Sequence, residues 1–467
     1  YKAIKDAEHA LYSLPDRHVE TEDVKVKEAA LQQAIDAFLE KMPKVFDPFA
    51  GGGAIPLEAA RLGCKSYGND INPVAHIIQK GSLEFPQKYG KPIHFTNAEF
   101  VKLYGEESLK TIPNEWKTYT AGAATGVRIP NRLSFDVEFY AKKLLAETEK
   151  EIGYLYPADE KGHKPVAYYW ARIGTCNNPS CKAEVPLLRG FSLCNKKDRK
   201  FYLNPIVEGN EIHFELVRRA VNKDGFNSRG NLKCPCCGSI TDVTTIKSQN
   251  PTGNFKLRLL AIISEGDQGK TYRLPTREEE KFISSAPFNQ NIPTEQMQKN
   301  SAGGDLLSWG ITKWGQVFSA RQLFVLNTLV ERLKEIKLSK NLKNPYVVSV
   351  VIYLGILIDR IAAMSTSFGL WKDNLEAVVT PFSRQAIPIV FDFPEVNVFS
   401  SSTGSALNQL DWIIRYIESE SGNTFNSILK NASSGEKSQF EEKYLTAVIT
   451  DPPYYDAIAY ADISDFF

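Results

Sequence analysis

The stretch that most restricts what this chain can fold into is "KVFDPFAGGGAIPLEAARLG", residues 44 to 63. A short apolar segment ending in Asp47, three consecutive glycines and an amphipathic run closed by Gly63 predict a strand, a tight turn and a helix. Glycine takes Cβ atoms out of the turn, so the backbone can bend sharply and let a ligand come close. The pattern then repeats: "CKSYGND" predicts a second strand ending at Asp70, and "NPVAHIIQKGS" a second helix. Residues 1 to 42 precede this with helical spacing in "VKEAALQQAIDAFLEKM". The opening is therefore βαβα, and the expected fold class is α/β.

From about residue 90 to 440 the alternation stops. A helix is predicted near Leu133 to Tyr154, a β-rich region with most of the cysteines from Pro165 to Ile246, and polar, Pro-containing connections near 250 and 275 to 300. Helical periodicity returns in "SARQLFVLNTLVERLKEI", with Ser319 as N-cap and Leu323, Leu326, Val330 and Leu333 on one face, and again over 345 to 364 and 405 to 419. "YLTAVIT", 444 to 450, predicts a buried strand running into Asp451. The expected division is 1–90 with the glycine loop, 91–160 mostly helical, 161–250 β-rich and basic, 251–440 helical, and 441–467 returning to the first sheet.

Length and composition allow this without deciding it. The chain has 467 residues, 43% of them hydrophobic, and a net charge of +1. That balance hides an asymmetry, since Lys161 to Lys247 carries 15 Lys and Arg against 7 Asp and Glu. The apolar run "YVVSVVIYLGILI", 346 to 358, is too short to cross a bilayer and runs into Asp359 and Arg360, so it is expected to be a core helix. With no signal peptide, no membrane partner is expected and localisation defaults to the cytoplasm. The chain begins at Tyr1 and ends at Phe467, and a fragment of a longer polypeptide is expected.

Three nucleotide ligands compete for the glycine stretch. A phosphate-binding P-loop needs Gly-Lys-Ser/Thr after the glycines, and "GGGAIP" has none. A dinucleotide fingerprint needs a third glycine where Ile55 or Pro56 stands, and Asp47 would repel a pyrophosphate. The same carboxylate favours a cation, which suits the sulfonium and amino group of S-adenosylmethionine. Asp70 is positioned to accept hydrogen bonds from ribose hydroxyls.

"ITDPPYYDAIAY", 449 to 460, suits an amine acceptor. The lone pair of an exocyclic base nitrogen is delocalised into its ring. The Asp451 side chain and the Pro452 carbonyl can each accept one N–H of that amine, drawing it toward tetrahedral geometry. Proline at 452 and 453 fixes the backbone, and Tyr454 offers a π face to a base turned out of its helix.

Six of the seven cysteines lie between Cys176 and Cys237. "CNNPSC" and "CPCCG" offer Cys176, Cys181, Cys234 and Cys237, with Gly238 for a knuckle turn, as four thiolate ligands of a structural Zn2+. Cys236 or Cys194 could replace one of them. The surrounding "KKDRKFYLN" and "LVRRAVNK" interleave cations with apolar residues, as a nucleic-acid surface or a solvated face would. "YYW" at 168 to 170 could stack bases but is expected as an alternating apolar strand in the ribbon core, and Arg321 or Arg384 as a phosphate contact.

"FDPFAGGG", "NDINPVA" and "TDPPYYDAIAYADISDFF" together resemble the adenine-specific DNA methylases that contain a zinc-ribbon insert. The resemblance spans most of the chain. It implies a Rossmann-like class I methyltransferase sheet, incomplete in these residues, with a large α+β insert that reads the target. It implies that Asp47, Phe49, Gly51, Gly53 and Asp70 hold S-adenosylmethionine and that Asp451, Pro452, Pro453 and Tyr454 hold the amine. Adenine N6, in preference to cytosine, follows from the resemblance alone. DNA is the expected partner, with proteins of a modification or defence system beside it. The alternatives are an RNA or protein-amide methyltransferase, which Asp451 disfavours because related clamps that act on guanine or glutamine often carry Asn there, and a weakly catalytic nucleic-acid-binding component of a modification or defence assembly.

Overall fold

The computed structural model describes residues 1–14, 21–120, 122–221, 224–267, 269–285, 292–298, 304–336, 343–384, 386–436, 439–454 and 458–467. The chain is a mixed α/β protein with several separate sheets, divided into two compact units. Residues 1–141, 338–354 and 412–454 form the first unit, and residues 142–337, 355–411 and 455–467 the second.

In the first unit, the helices Lys2–Tyr12 and Glu22–Leu39 bury Ile4, Leu11, Val24, Leu31 and Leu39 against Phe425. Thr21 starts the second of them by accepting the Val24 N–H at 3.2 Å. The βαβα opening then follows: strand Lys44–Asp47, helix Ala54–Arg61, strand Lys65–Asp70, helix Pro73–Leu83. Asn72 caps the last helix by accepting the amides of Val74 and Ala75, with Pro73 at its first position.

These two strands form the centre of a four-stranded sheet of order Ile428–Asn431, Lys65–Asp70, Lys44–Asp47, Ala447–Val448, in which every neighbouring pair is parallel. The chain thus re-enters this sheet at Ile428–Asn431, a strand the sequence did not mark. The order also reverses at Lys44–Asp47, because the third strand lies outside Lys65–Asp70 and the fourth on the opposite side. Such a reversal opens a crevice at the carboxyl ends of the strands on either side of it.

One strand differs from expectation. Residues 444 to 450 do not make a buried strand: only Ala447–Val448 pairs, and Val448 is 57% exposed. The cause is position, since among the described residues this strand is bonded on one side only, to Lys44–Asp47. The segment before it is anchored, with Phe440 packing on Phe46 and Tyr67 and the hydroxyls of Tyr67 and Tyr444 2.7 Å apart.

Between Ile93 and Ile129 the first unit also has a three-stranded antiparallel sheet, Ile93–Thr96, Ala123–Ile129 and Lys117–Thr120, over a core of Phe95, Phe100, Tyr104, Val127 and Ile129. The helix Pro345–Met364 is 20 residues long and, among the described residues, the one helix long and apolar enough by length and composition to cross a membrane. The expectation that it was too short considered only its apolar run. Val350, Tyr353, Leu354, Leu357 and Ile361 are buried, as in a core helix.

The second unit is built on an antiparallel sheet of order Thr271–Arg273, Leu257–Ser264, Pro165–Thr175, Asp392–Val396, with Glu184–Pro186 also pairing to Pro165–Thr175. Pro165–Thr175 is buried along nearly its whole length. Tyr168, Tyr169 and Trp170 are therefore interior on both faces, where an alternating strand was expected. Ser319 caps Ala320–Glu335 and Leu323 and Leu326 are buried, both as predicted, but Leu329 is buried in place of Val330, which is exposed.

Arg321, a candidate phosphate contact, is buried in an ion pair with Glu395, with its guanidinium 4.3 Å from the Tyr168 ring centroid. An arginine so desolvated and paired is unavailable to a ligand. The Arg384 side chain lies outside the described residues.

Candidate functional site

The first site is assembled by the parallel sheet. Pairing of Val45 with Ala447 and Phe46 with Val448, extended by the Ile449 N–H bond to the Phe46 carbonyl at 3.0 Å, carries both chains in step to the same edge. The glycine loop leaves that edge at Asp47, and the Asp451-Pro-Pro-Tyr segment leaves it two residues beyond Ile449. Register alone brings together residues separated by some four hundred positions in sequence.

Within the glycine loop, Asp47 is buried and accepts the Phe49 N–H at 3.0 Å, while the Thr450 hydroxyl donates to the same carboxylate. Burial pushes the Asp47 carboxyl above the usual carboxylate range. The Thr450 and Phe49 hydrogen bonds oppose this rise, and the carboxylates of Asp70 and Asp451 add to it. Three acidic side chains thus act on one region, which favours a cation and opposes a phosphate.

Asp70 bonds to the loop itself. One of its oxygens accepts the Gly51 N–H and the other the Asn72 N–H, each at 2.8 Å. A carboxylate retains further lone-pair sites after two such bonds. Gly51 and Gly53 have φ of 51° and 90°, so both need glycine's freedom. Their surroundings differ. A Cβ on Gly53 would come within 2.5 Å of Leu83, which makes this glycine a packing requirement, whereas Gly51 and Gly52 face open space where a ligand can approach the backbone. Phe49 is partly exposed beside them.

Three supporting residues were missed in the sequence: Asn69, Gln79 and Thr450. Asn69 is fully buried and donates to the carbonyls of Pro48 and Ala432, at 3.3 and 2.9 Å. Gln79, also fully buried, donates to the Gly51 carbonyl at 2.9 Å. Among the described residues, Asn69 Oδ1 and Gln79 Oε1 have no hydrogen-bond partner. A glutamine on the apolar stripe of the helix with Leu83 was the available signal. Gln79→Leu, which keeps the volume and removes the bond, is expected to lower stability by about 1 kcal/mol, seen as a lower urea midpoint at unchanged slope. An unchanged midpoint would show that the loop does not depend on this bond.

Asp451, Pro452, Pro453 and Tyr454 are exposed and lie outside helices and strands, with Tyr454 56% accessible. Tyr455, Asp456 and Ala457 lie outside the described residues.

The second site is in the other unit. Cys176 follows the strand Pro165–Thr175 and Cys234 follows Asn231–Lys233. Each begins a turn whose second cysteine is followed by a left-handed residue: Cys181 by Lys182, φ 52°, and Cys237 by Gly238, φ 76°. The Cys176 N–H bonds to the Ala183 carbonyl and the Cys234 N–H to that of Ser239, both at 2.9 Å, closing the two turns alike. Lys182 hides this likeness from the sequence, because lysine does not advertise positive φ.

The four sulfurs lie within 4.8 Å of one another, with Cys176 to Cys237 at 3.6 Å and Cys181 to Cys234 at 3.7 Å. Tetrahedral Zn–S bonds of ~2.3 Å put sulfurs about 3.8 Å apart, so this donor set can hold a metal ion and is compatible with zinc. Burial pushes the Cys176 thiol up to about 12, while hydrogen bonds from the side chain and backbone of Ser239 hold Cys237 down to about 6. Four thiolates here call for a cation. Cys236 is outside the set, and Cys194 is elsewhere, bonded to the Arg199 carbonyl at 3.3 Å.

Comparison of the chain with protein-family models, with curated proteins and with solved structures finds no match.

Proposed function

We propose that this protein is an S-adenosylmethionine-dependent DNA methyltransferase acting on an exocyclic base amine, adenine N6, and that its parallel sheet is a Rossmann-like class I methyltransferase sheet. One observation carries the reading: the glycine loop and Asp451-Pro-Pro-Tyr leave adjacent parallel strands at the same edge, the glycine loop from the strand where the order reverses and Asp451-Pro-Pro-Tyr from the neighbour beyond the reversal. Ligands of open α/β sheets bind at such a reversal. A group-transfer site needs donor and acceptor side by side, and this register provides two loops suited to each.

The residues present fit the cofactor. Gly51 and Gly52 leave the backbone open, and the carboxylates of Asp47 and Asp70 favour its positive charge. Asp47, Phe49, Gly51, Gly53 and Asp70 would hold it, Gly53 by shaping the loop. S-adenosylmethionine supplies an electrophilic methyl group when bound. The Asp451 carboxylate and the Pro452 carbonyl accept the amine's two N–H groups and direct its lone pair, Pro453 restricts the backbone, and Tyr454 stacks on the extruded base. Cys176, Cys181, Cys234 and Cys237 hold a structural Zn2+ in a zinc ribbon within the insert.

The deciding experiment is nucleoside mass spectrometry of DNA and RNA from cells expressing the wild type or Asp451→Ala. N6-methyladenine is expected in DNA with the intact aspartate alone. Methylation confined to RNA, or absent from both nucleic acids, would overturn the reading.

A further inference from the structure

The second unit contains a three-stranded antiparallel sheet of order Glu211–Val217, Lys200–Glu208, Ser192–Asn195. Its register pairs Asn195 with Lys200 and Val217 with Tyr202. The chain leaving the first strand at Lys196, the chain entering the second at Lys200 and the chain leaving the third at Arg218 therefore meet at one end of the sheet. Two basic stretches some twenty residues apart become a single cluster of Lys196, Lys197, Arg199, Lys200, Arg218 and Arg219, with Asp198 the acidic residue among them.

Two of these cations are occupied. Lys196 Nζ and Arg199 Nη2 each lie 2.6 Å from a carboxylate oxygen of Glu376, and the Tyr272 hydroxyl donates to it at 2.7 Å. Glu376 is buried and has φ 52°, a strained conformation that its partners must sustain. Burial pushes its carboxyl up, but hydrogen bonds from Lys196, Tyr272 and Arg199 outweigh this and hold it down to about 2. The cluster thus fastens the 195–200 hairpin.

Lys197, Lys200, Arg218 and Arg219 are left exposed, and among the described residues none of them forms an ion pair. The Arg218 guanidinium lies 5.4 Å from the Phe201 ring centroid, which limits its motion. Strands about 4.8 Å apart spread the four charges over roughly 10 Å of a rigid sheet end, comparable to the axial span of about four successive phosphates at ~3.4 Å rise along one strand of a duplex.

We propose that this sheet end is a phosphate-contact surface for the backbone of duplex DNA, formed by Lys197, Lys200, Arg218 and Arg219 and held in place by Glu376. The choice of DNA rests on the methyltransferase reading, whereas the polyanion follows from the charge. Such contacts position a duplex without reading its sequence.

The test is fluorescence anisotropy of a labelled 20-base-pair duplex titrated with the full chain across a salt series. In Lys197→Gln/Lys200→Gln/Arg218→Gln/Arg219→Gln, the slope of log K against log salt should become shallower by about 0.9 per lost contact, and affinity at ~0.1 M salt should fall at least about 100-fold. Lys161→Gln/Lys233→Gln, in the same basic segment, should leave the slope unchanged, and zinc content and the melting temperature check the fold of both. An unchanged slope in the fourfold variant, an equal change in the control, or an effect on an RNA duplex without one on DNA would overturn the proposal. Wild-type binding to DNA without methyl transfer would defeat the methyltransferase reading while leaving this surface standing.

Discussion

Asp451→Ala is expected to reduce methyl transfer by ~10³-fold or more while leaving S-adenosylmethionine affinity within about twofold of wild type, because in the proposed reaction its carboxylate serves the amine, where charge changes. Asp70→Ala should do the reverse. Asp70 supports the glycine loop from beneath, through the amides of Gly51 and Asn72, and each hydrogen bond to a charged group contributes about 1.5–3 kcal/mol. Cofactor affinity should therefore fall at least tenfold. Calorimetric titration of the cofactor beside single-turnover transfer separates the two roles, and an equal loss of cofactor binding in both variants would contradict the division. Asp451 is one of the carboxylates acting on Asp47, so a small gain or loss of cofactor affinity in Asp451→Ala is compatible with it.

The second large effect is on the cysteine cluster. Cys234→Ser should release the proposed metal and unfold the strands Asn227–Ser228, Asn231–Lys233 and Ile240–Thr241, which among the described residues form a small three-stranded sheet of their own. Structural zinc sites release about 10–16 kcal/mol on binding at neutral pH, far more than three such short strands can supply by packing. Cys236→Ser is the internal control: Cys236 lies outside the four-sulfur set, so its loss should leave the metal content at one ion per chain. Atomic absorption with circular dichroism, before and after treatment with a strong chelator, measures both. Unchanged folding of the chelated wild type would exclude a structural metal, and metal loss in Cys236→Ser would assign a different ligand set.

Much of the local structure was legible. Glycines after Asp47, Gly63 closing a helix, Asn72 before Pro73 and Ser319 at a helix start are short-range signals, each acting over a few residues through backbone freedom or a capping bond. The four cysteines were legible for the same reason, since two close pairs predict two turns. Burial was less so. "YLTAVIT" reads as interior from hydrophobicity, yet it lies at the edge of a sheet, and no local pattern records how many neighbours a strand will have. "YYW" reads as part of a core strand and is one, since Pro165–Thr175 is buried along nearly its whole length.

What the sequence determined by itself was the set of parts: a strand–turn–helix with a glycine loop, an Asp-Pro-Pro-Tyr segment, two cysteine turns and a basic stretch. Only the tertiary structure decided their adjacency. The parallel register that sets Asp47 beside Thr450, the four-residue strand Ile428–Asn431 alongside Lys65–Asp70, and the antiparallel register that gathers Lys200 with Arg218 all depend on backbone pairing between distant segments. Backbone hydrogen bonds are nearly the same for every residue type. A sequence therefore specifies which segments can pair far more clearly than which partner each one takes, and that choice is made by the packing of the whole unit.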